Sequence, residues 1–404
     1  MWLDFFEDPL QVSRMPSSDN HSSAIPFASF RRSIMTIRTD QIHSESSQDS
    51  NIQNLDSFQR QIFARFHDLS IVNATEFLSI SWIHKLLDSF TLTQEDFRTL
   101  LSENKTLLPK PPSDRLVTEY FDRAIKAMDI FNSARDGVET IRLWQKHLEI
   151  VVTALDFTKQ KTITEGHFRR ARKSLMDLAL LMLDDRETGS VFSNRNRSFG
   201  RNKGKDHQRA PSSGGHSRSL SWSVSNSWSA SKQLQSIANN LIPPRANEIA
   251  STNGIATLVF SMSFILMFVL WVLVAAIPCQ DRGVQVHFVI PRQSTWSTPF
   301  FLIQSRVVEE SKKRDRRNSS GLLKEIYEIE KCVNKMSDLV DSAQFPISEG
   351  AKEEVRESVS ELSSVCDVCK SGLDPLERKL RETFRKVMHC RTEGLEFLGK
   401  ATEP

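Results

Sequence analysis

Cys366 and Cys369 come closest to a chemical motif in this chain, because they form a Cys-x-x-Cys pair. That spacing serves thiol–disulfide chemistry or supplies half of a zinc site. No second pair of this kind lies at ligand spacing, although His389 and Cys390 could in principle complete a site. Because the pair falls within an apolar stripe of helical spacing, we interpret Cys369 as a core residue and Cys366 as its partly exposed neighbour.

Signatures of other catalytic sites are missing from the sequence. It contains no GxGxxG or Walker loop for phosphates, no GxSxG nucleophile elbow, no HExxH zinc motif and no kinase motif. Glycine supplies only 14 of 404 residues, and the ten histidines are scattered. We therefore predict that the chain is not an enzyme, that it has no catalytic or metal site, and that it uses no cofactor.

A long apolar segment lies in the middle of the chain. Residues 249–280 contain no charged side chain, and the part from Ile255 to Ile277 is almost wholly apolar. A helix of this length rises about 1.5 Å per residue and crosses a hydrocarbon layer of roughly 30 Å. We therefore predict a single membrane span, with the helical domains in the cytosol. The side chains assigned to the membrane are Ile255, Phe264, Leu266, Phe268, Leu270, Trp271, Leu273 and Ile277.

The same segment has an alternative interpretation as the buried core helix of a wholly soluble scaffold. In that case residues 255–277 are covered by other helices on all sides, and the chain is cytosolic. Basic residues stand on both sides of the segment, so they do not fix an orientation across a membrane. The sequence leaves both interpretations open.

Apolar residues at helical spacing flank the segment on both sides. Residues 1–50 lack such spacing and are predicted to be disordered, whereas residues 52–185 are predicted to form an N-terminal helical domain. Residues 281–299 are a connector, and residues 300–400 are predicted to form a C-terminal helical domain of three helices. The sequence therefore predicts an all-α fold of helical bundle domains with one central hydrophobic, transmembrane helix.

Two patterns specify the C-terminal domain more closely. A heptad seam, with alternating steps of four and three, is typical of a coiled coil that pairs within the chain or between chains. Its members are Leu322, Ile326, Ile329, Val333, Met336 and Val340. Asp374 followed by Pro375 predicts the start of a new helix, because a carboxylate caps helix N-termini and proline suits the first helical position.

Residues 186–244 are predicted to be a long disordered Ser/Arg/Gly-rich linker, because they hold too few aliphatic side chains to bury. Trp222 and Trp228 within it are candidate docking residues. The basic tract 195–218 could bind anionic membrane lipid or RNA, or simply be solvated. The net charge of +3 is small for a dedicated nucleic-acid binder, so no nucleic-acid partner is expected.

Ser198 and Ser319 are candidate phosphosites, since each follows two arginines closely. A phosphate at either position would cancel local positive charge. The five cysteines are few, odd in number and late in the chain. This usage favours a reducing compartment.

Several blocks of the sequence resemble the plant ROH family, which is related to the BYPASS proteins. The likeness covers nearly everything from Met15 onward, and the PCQDRG block followed by GLDPLER is its most specific part. The blocks are SFRRSIMTIRTDQ, LDSFQRQIFARF, SWIHKLLDSF, LIPPRANEIA, VLVAAIPCQDRGVQVHF and SGLDPLERKLRETFRKV.

The resemblance implies a partner and a process. Members of the family are described as binding the exocyst subunit of the Exo-seventy type and as influencing polarised secretion. On this basis we expect a non-enzymatic regulator or adaptor of exocyst-dependent polarised secretion in plants, held at a membrane. An RNA-binding or nuclear regulator that uses residues 195–218 is the alternative from a different functional class.

Overall fold

A computed structural model describes residues 45–158, 163–187, 229–279, 286–315 and 320–399. All regular secondary structure in these ranges is helical, which confirms the prediction of an all-α fold. The helices are α1 (Glu45–Ser70), α2 (Ile80–Glu103), α3 (Ser113–Leu155), α4 (Glu165–Glu187), α5 (Ala230–Ala238), α6 (Ala246–Ser251), α7 (Ile255–Ala276), α8 (Ser297–Asp315), α9 (Lys324–Ser342) and α10 (Glu349–Gly399). The chain contacts form two units, Met1–Ser47 and Gln48–Pro404, and all helices except the first three residues of α1 belong to the second.

The two longest helices, α3 and α10, run antiparallel along each other. Arg142 of α3 reaches Asp374 and Glu377 of α10 at 2.8 and 3.0 Å, while Phe121 lies against Gly394 at the other end. Helix α2 also packs against α10. Helices from the segments predicted as N-terminal and C-terminal domains therefore share one hydrophobic core.

Helix α10 is continuous over 51 residues and passes through Pro375. The predicted helix start at Asp374 is therefore wrong. A proline inside a helix costs about 3 kcal/mol, but α10 contacts α2 and α3 on both sides of it. These contacts lie at Lys370 and Gly372 before the proline and at Glu377 and Lys379 after it. Asp374 accepts a hydrogen bond from Arg142 of α3. Tertiary packing thus overrides the local signal for a helix boundary.

The residues that the structure describes resume at Ser229, inside the segment assigned to the linker. Ser229 caps α5, because its hydroxyl accepts a hydrogen bond from the Lys232 amide at 3.3 Å. Leu234 and Ile237 of this short helix are fully buried. Helix α5 packs on α3 and α7 and so covers part of the apolar segment.

Candidate functional site: the enclosed apolar helix and its exit

Helix α7 contains the apolar segment and lies at the centre of the bundle. It is long and apolar enough to cross a membrane, yet all of its most apolar window is buried inside the chain's own fold. Each of the eight side chains assigned to the membrane, from Ile255 to Ile277, is at most 2% exposed. The helices packed around it are α2, α3, α5, α6 and α8.

Aromatic rings from the connector and α8 cover one face of α7. The ring centroids of Phe264 and Trp296 are 5.2 Å apart, and those of Phe268 and Phe300 are 4.8 Å apart. Trp271 meets Phe288 edge-on at 5.2 Å. Aromatic pairs in such arrangements each contribute about 0.5–1.5 kcal/mol beyond the area that they bury. The cover is therefore a specific packing arrangement.

Side chains of the connector alternate between buried and exposed, as they do along a β-strand, and the buried ones contribute to this cover. The described residues of the connector form no strand. Val286 and Ile290 are buried, whereas Val289 between them is 87% exposed. The alternation is visible in the sequence from 284 to 290. Its significance as the cover of an apolar helix was not predicted.

The C-terminal end of α7 is held by backbone groups of the chain itself. The amides of Leu322 and Leu323 donate to the carbonyls of Ala275 and Ala276, both at 3.0 Å. The last carbonyls of a helix have no partner within the helix and must find one elsewhere. Protein amides satisfy two of these carbonyls here.

Two glycines permit the close approach of the chain at this C-terminal end of α7, which we call the exit. A Cβ atom on Gly321 would lie 2.6 Å from the Ala276 carbonyl oxygen, and one on Gly137 would lie 2.2 Å from the Pro278 carbonyl oxygen. Both distances are far below van der Waals contact, and both neighbours are backbone atoms. Gly137 lies inside the unbroken helix α3. Gly137 therefore permits a close contact between α3 and the exit of α7, and it does not interrupt α3.

Glu325 connects the exit of α7 to the start of α2. Both of its carboxylate oxygens lie 3.1 Å from the Ile80 amide, and the side chain is buried. The neighbouring Lys324 amide donates to the Leu78 carbonyl at 3.0 Å. A carboxylate at a helix N-terminus is stabilised by the free amides and by the helix dipole. Residues 320–325 thus join the ends of three helices: α7, α9 and α2.

Removal of the Glu325 carboxylate is expected to weaken this junction. Glu325→Ala should lower the free energy of unfolding by about 1–3 kcal/mol, because the buried Ile80 amide loses its acceptor. Glu325→Gln keeps a carbonyl acceptor and should lose less. Urea denaturation measures both, with Glu354→Ala at an exposed position of α10 as the control. Equal losses for Glu325→Ala and the control would contradict the assigned role.

The cysteines of the Cys-x-x-Cys pair are both buried, Cys366 at 5% and Cys369 at 0% exposure. The interpretation of Cys366 as partly exposed is therefore wrong, because α9 packs over this part of α10. Burial raises the pKa of each thiol to about 12, so both are protonated at neutral pH. In the described residues no group of three His, Cys, Asp or Glu side chains could hold a metal ion.

The heptad seam of α9 faces the interior of the chain. All six of its members, from Leu322 to Val340, are at most 6% exposed. The helices packed against α9 are α10 and α4. The seam is therefore already covered within one chain.

Several predicted positions lie outside the described residues. They are Trp222, Trp228, Ser198, Ser319 and the basic tract 195–218. Their docking and phosphorylation roles stay predictions.

Comparison with known proteins gives a consistent set of similarities. Residues 22–398 match the family profile described as "Protein ROH1-like". The chain is 49% identical over 387 residues to "Protein ROH1D" of Arabidopsis thaliana, which covers 92% of this chain and 97% of the relative. It is 33% identical over 427 residues to "Protein ROH1A" of the same organism, over 96% and 99% of the two chains. No solved structure matches the chain.

Proposed function

Since the chain belongs to the ROH1-like family, we propose that it is a non-enzymatic interaction protein that regulates exocyst-dependent polarised secretion in plants. The proposed partner is an exocyst subunit of the Exo-seventy type, as the family resemblance implies. The fold suits such a role, because one continuous core supports long helices whose exposed faces carry charged side chains. The buried, protonated thiols favour a structural role for the cysteines over catalysis.

We further propose that α7 stays inside the protein, so that the adaptor is a water-soluble scaffold. The observation that carries this proposal is the burial of every α7 residue except the half-buried Thr257, together with the hydrogen-bonded carbonyls at its exit. A buried Leu, Phe or Val side chain contributes about 1.5–3 kcal/mol relative to an exposed one. Transfer of α7 into a bilayer would remove these contacts from α2, α3 and α8 at the same time. A single-pass membrane anchor, which the apolarity of α7 alone predicts, would have to offset the free energy of these lost contacts.

Binding to purified exocyst subunits tests the proposed partner. The full chain, immobilised in detergent-free buffer, is expected to retain the Exo-seventy-type subunit saturably and to leave the other exocyst subunits unbound. Glu325→Ala is the control for folding defects, because it destabilises the fold but leaves the exposed surface unchanged. Its retention of the subunit shows how much binding a loss of stability alone removes. Failure to retain the Exo-seventy-type subunit, or equal retention of every subunit, would contradict the proposed partner.

A further inference from the structure

The outer face of α4 carries cations next to exposed apolar side chains. We call the set Arg169, Arg170, Lys173, Met176 and Leu180 the α4 face. These residues recur at steps of three and four, apart from Arg170, and so lie on one side of the helix. All five are exposed.

Helix α4 uses its opposite side to join the bundle. Phe168, Ala171 and Leu175 are at most 3% exposed. The Ser174 hydroxyl donates to the His147 carbonyl of α3 at 2.9 Å, and Arg172 pairs with Asp341 of α9 at 2.7 Å. Because α3 and α9 hold the inner side, the α4 face is an outward-facing ridge of this helix.

The positive charge of the ridge is only partly compensated. Arg169 pairs with Glu165 at 2.8 Å. Arg170 and Lys173 have no ion pair with any carboxylate in the part of the chain that the structure describes. Asp177 is half-buried one turn beyond Lys173 and forms no ion pair with it. Two cations on the ridge are therefore available to an external anion.

The apolar side chains of the ridge are largely exposed. Met176 is 58% exposed and Leu180 is 57% exposed. Apolar side chains of this kind are accommodated at the boundary between lipid headgroups and acyl chains.

We propose that the α4 face binds the surface of membranes that contain anionic lipid, while α7 stays enclosed. The unpaired cations complement the negative surface potential of such a membrane, and Met176 and Leu180 enter the headgroup boundary. The pairing of unpaired cations with exposed apolar side chains favours a membrane surface, because anionic headgroups attract the cations while the headgroup boundary accommodates the apolar side chains. The proposal goes beyond the adaptor function and does not depend on the Exo-seventy-type partner.

Co-sedimentation of the full chain with vesicles tests the proposal. We expect binding to phosphatidylcholine vesicles that contain phosphatidylserine, and little binding to phosphatidylcholine alone. Arg170→Glu/Lys173→Glu should weaken binding by about 25-fold or more, since each cation near such a surface contributes about fivefold. Arg378→Glu/Arg385→Glu on the exposed side of α10 makes the same charge change elsewhere and should bind like the wild type.

A second variant separates insertion from simple attraction. Met176→Ser/Leu180→Ser keeps every charge of the ridge and should still weaken binding to anionic vesicles. Unchanged binding by Arg170→Glu/Lys173→Glu, or equal loss in the α10 control, would overturn the proposal. The proposal would also be overturned if the wild type bound no vesicles. If Arg170→Glu/Lys173→Glu then also lost binding to the Exo-seventy-type subunit, the α4 face would be assigned to a protein partner. Thermal unfolding of each variant confirms that it is folded.

Discussion

Phe268→Ala is expected to lower the free energy of unfolding of the purified chain by about 3–5 kcal/mol in detergent-free buffer. Phe268 is fully buried in α7, and its ring packs against Trp271 at 5.8 Å and Phe300 at 4.8 Å. The substitution removes these contacts and leaves a cavity in the middle of the core. Urea denaturation followed by circular dichroism measures the change.

The matched control for this prediction is Phe301→Ala on the covering helix α8. Phe301 is 39% exposed, so the same substitution removes less buried area and should cost less than half as much. A similar cost at both positions, or no cost at Phe268, would show that the Phe268 side chain does not pack as the structure places it.

Gly137→Ala is expected to destabilise the fold by about 1–3 kcal/mol through overpacking. The added Cβ would lie 2.2 Å from the Pro278 carbonyl oxygen and 2.6 Å from Cγ2 of Ile277. Helix α3 must then move away from the exit of α7. The sign of the change in the free energy of unfolding is informative, because replacing glycine by alanine inside a helix normally stabilises a protein by about 1 kcal/mol. The midpoint of urea denaturation measures the change.

Gly350→Ala provides the control for this sign. Gly350 lies in the first turn of α10, and a Cβ there would meet no atom within 4 Å. The substitution should leave stability unchanged or raise it slightly. A stabilising effect at Gly137 as well would contradict the close approach of α3 and α7.

The sequence predicts the helices of this fold well where apolar spacing decides their position. Phe58, Ile62 and Phe66 recur at steps of four residues in the sequence, and all three are buried in α1. Apolar residues at helical spacing from Leu116 to Leu155 likewise lie in the single helix α3, Ser113–Leu155. These successes rest on local periodicity, which a sequence displays directly.

The environment of α7 could not be decided from the sequence. A membrane span and a central core helix require the same length and apolarity. The difference lies in what surrounds the helix, and the surrounding residues are distant in sequence. Leu322 and Leu323, which hold its exit, are separated from Ala275 and Ala276 by an intervening helix and connector.

The junction at Glu325 was missed for the same reason. Its partner Ile80 lies 245 residues away, and no sequence pattern marks a carboxylate that caps a distant helix. Pro375 shows the converse case. A strong local signal predicted a helix start there, but contacts with α2 and α3 on both sides keep α10 continuous.

The central claim is that α7 forms the interior of a water-soluble bundle. Hydrogen–deuterium exchange of the detergent-free chain tests it most directly, because amides in a buried core exchange only when that core opens. We predict that residues 255–276 exchange as slowly as the buried parts of α3 and α10, and that all three lose protection together in urea. Rapid exchange in α7 would contradict the claim. So would a chain that stays dispersed only in detergent and in which α7 keeps its protection after α3 and α10 have unfolded.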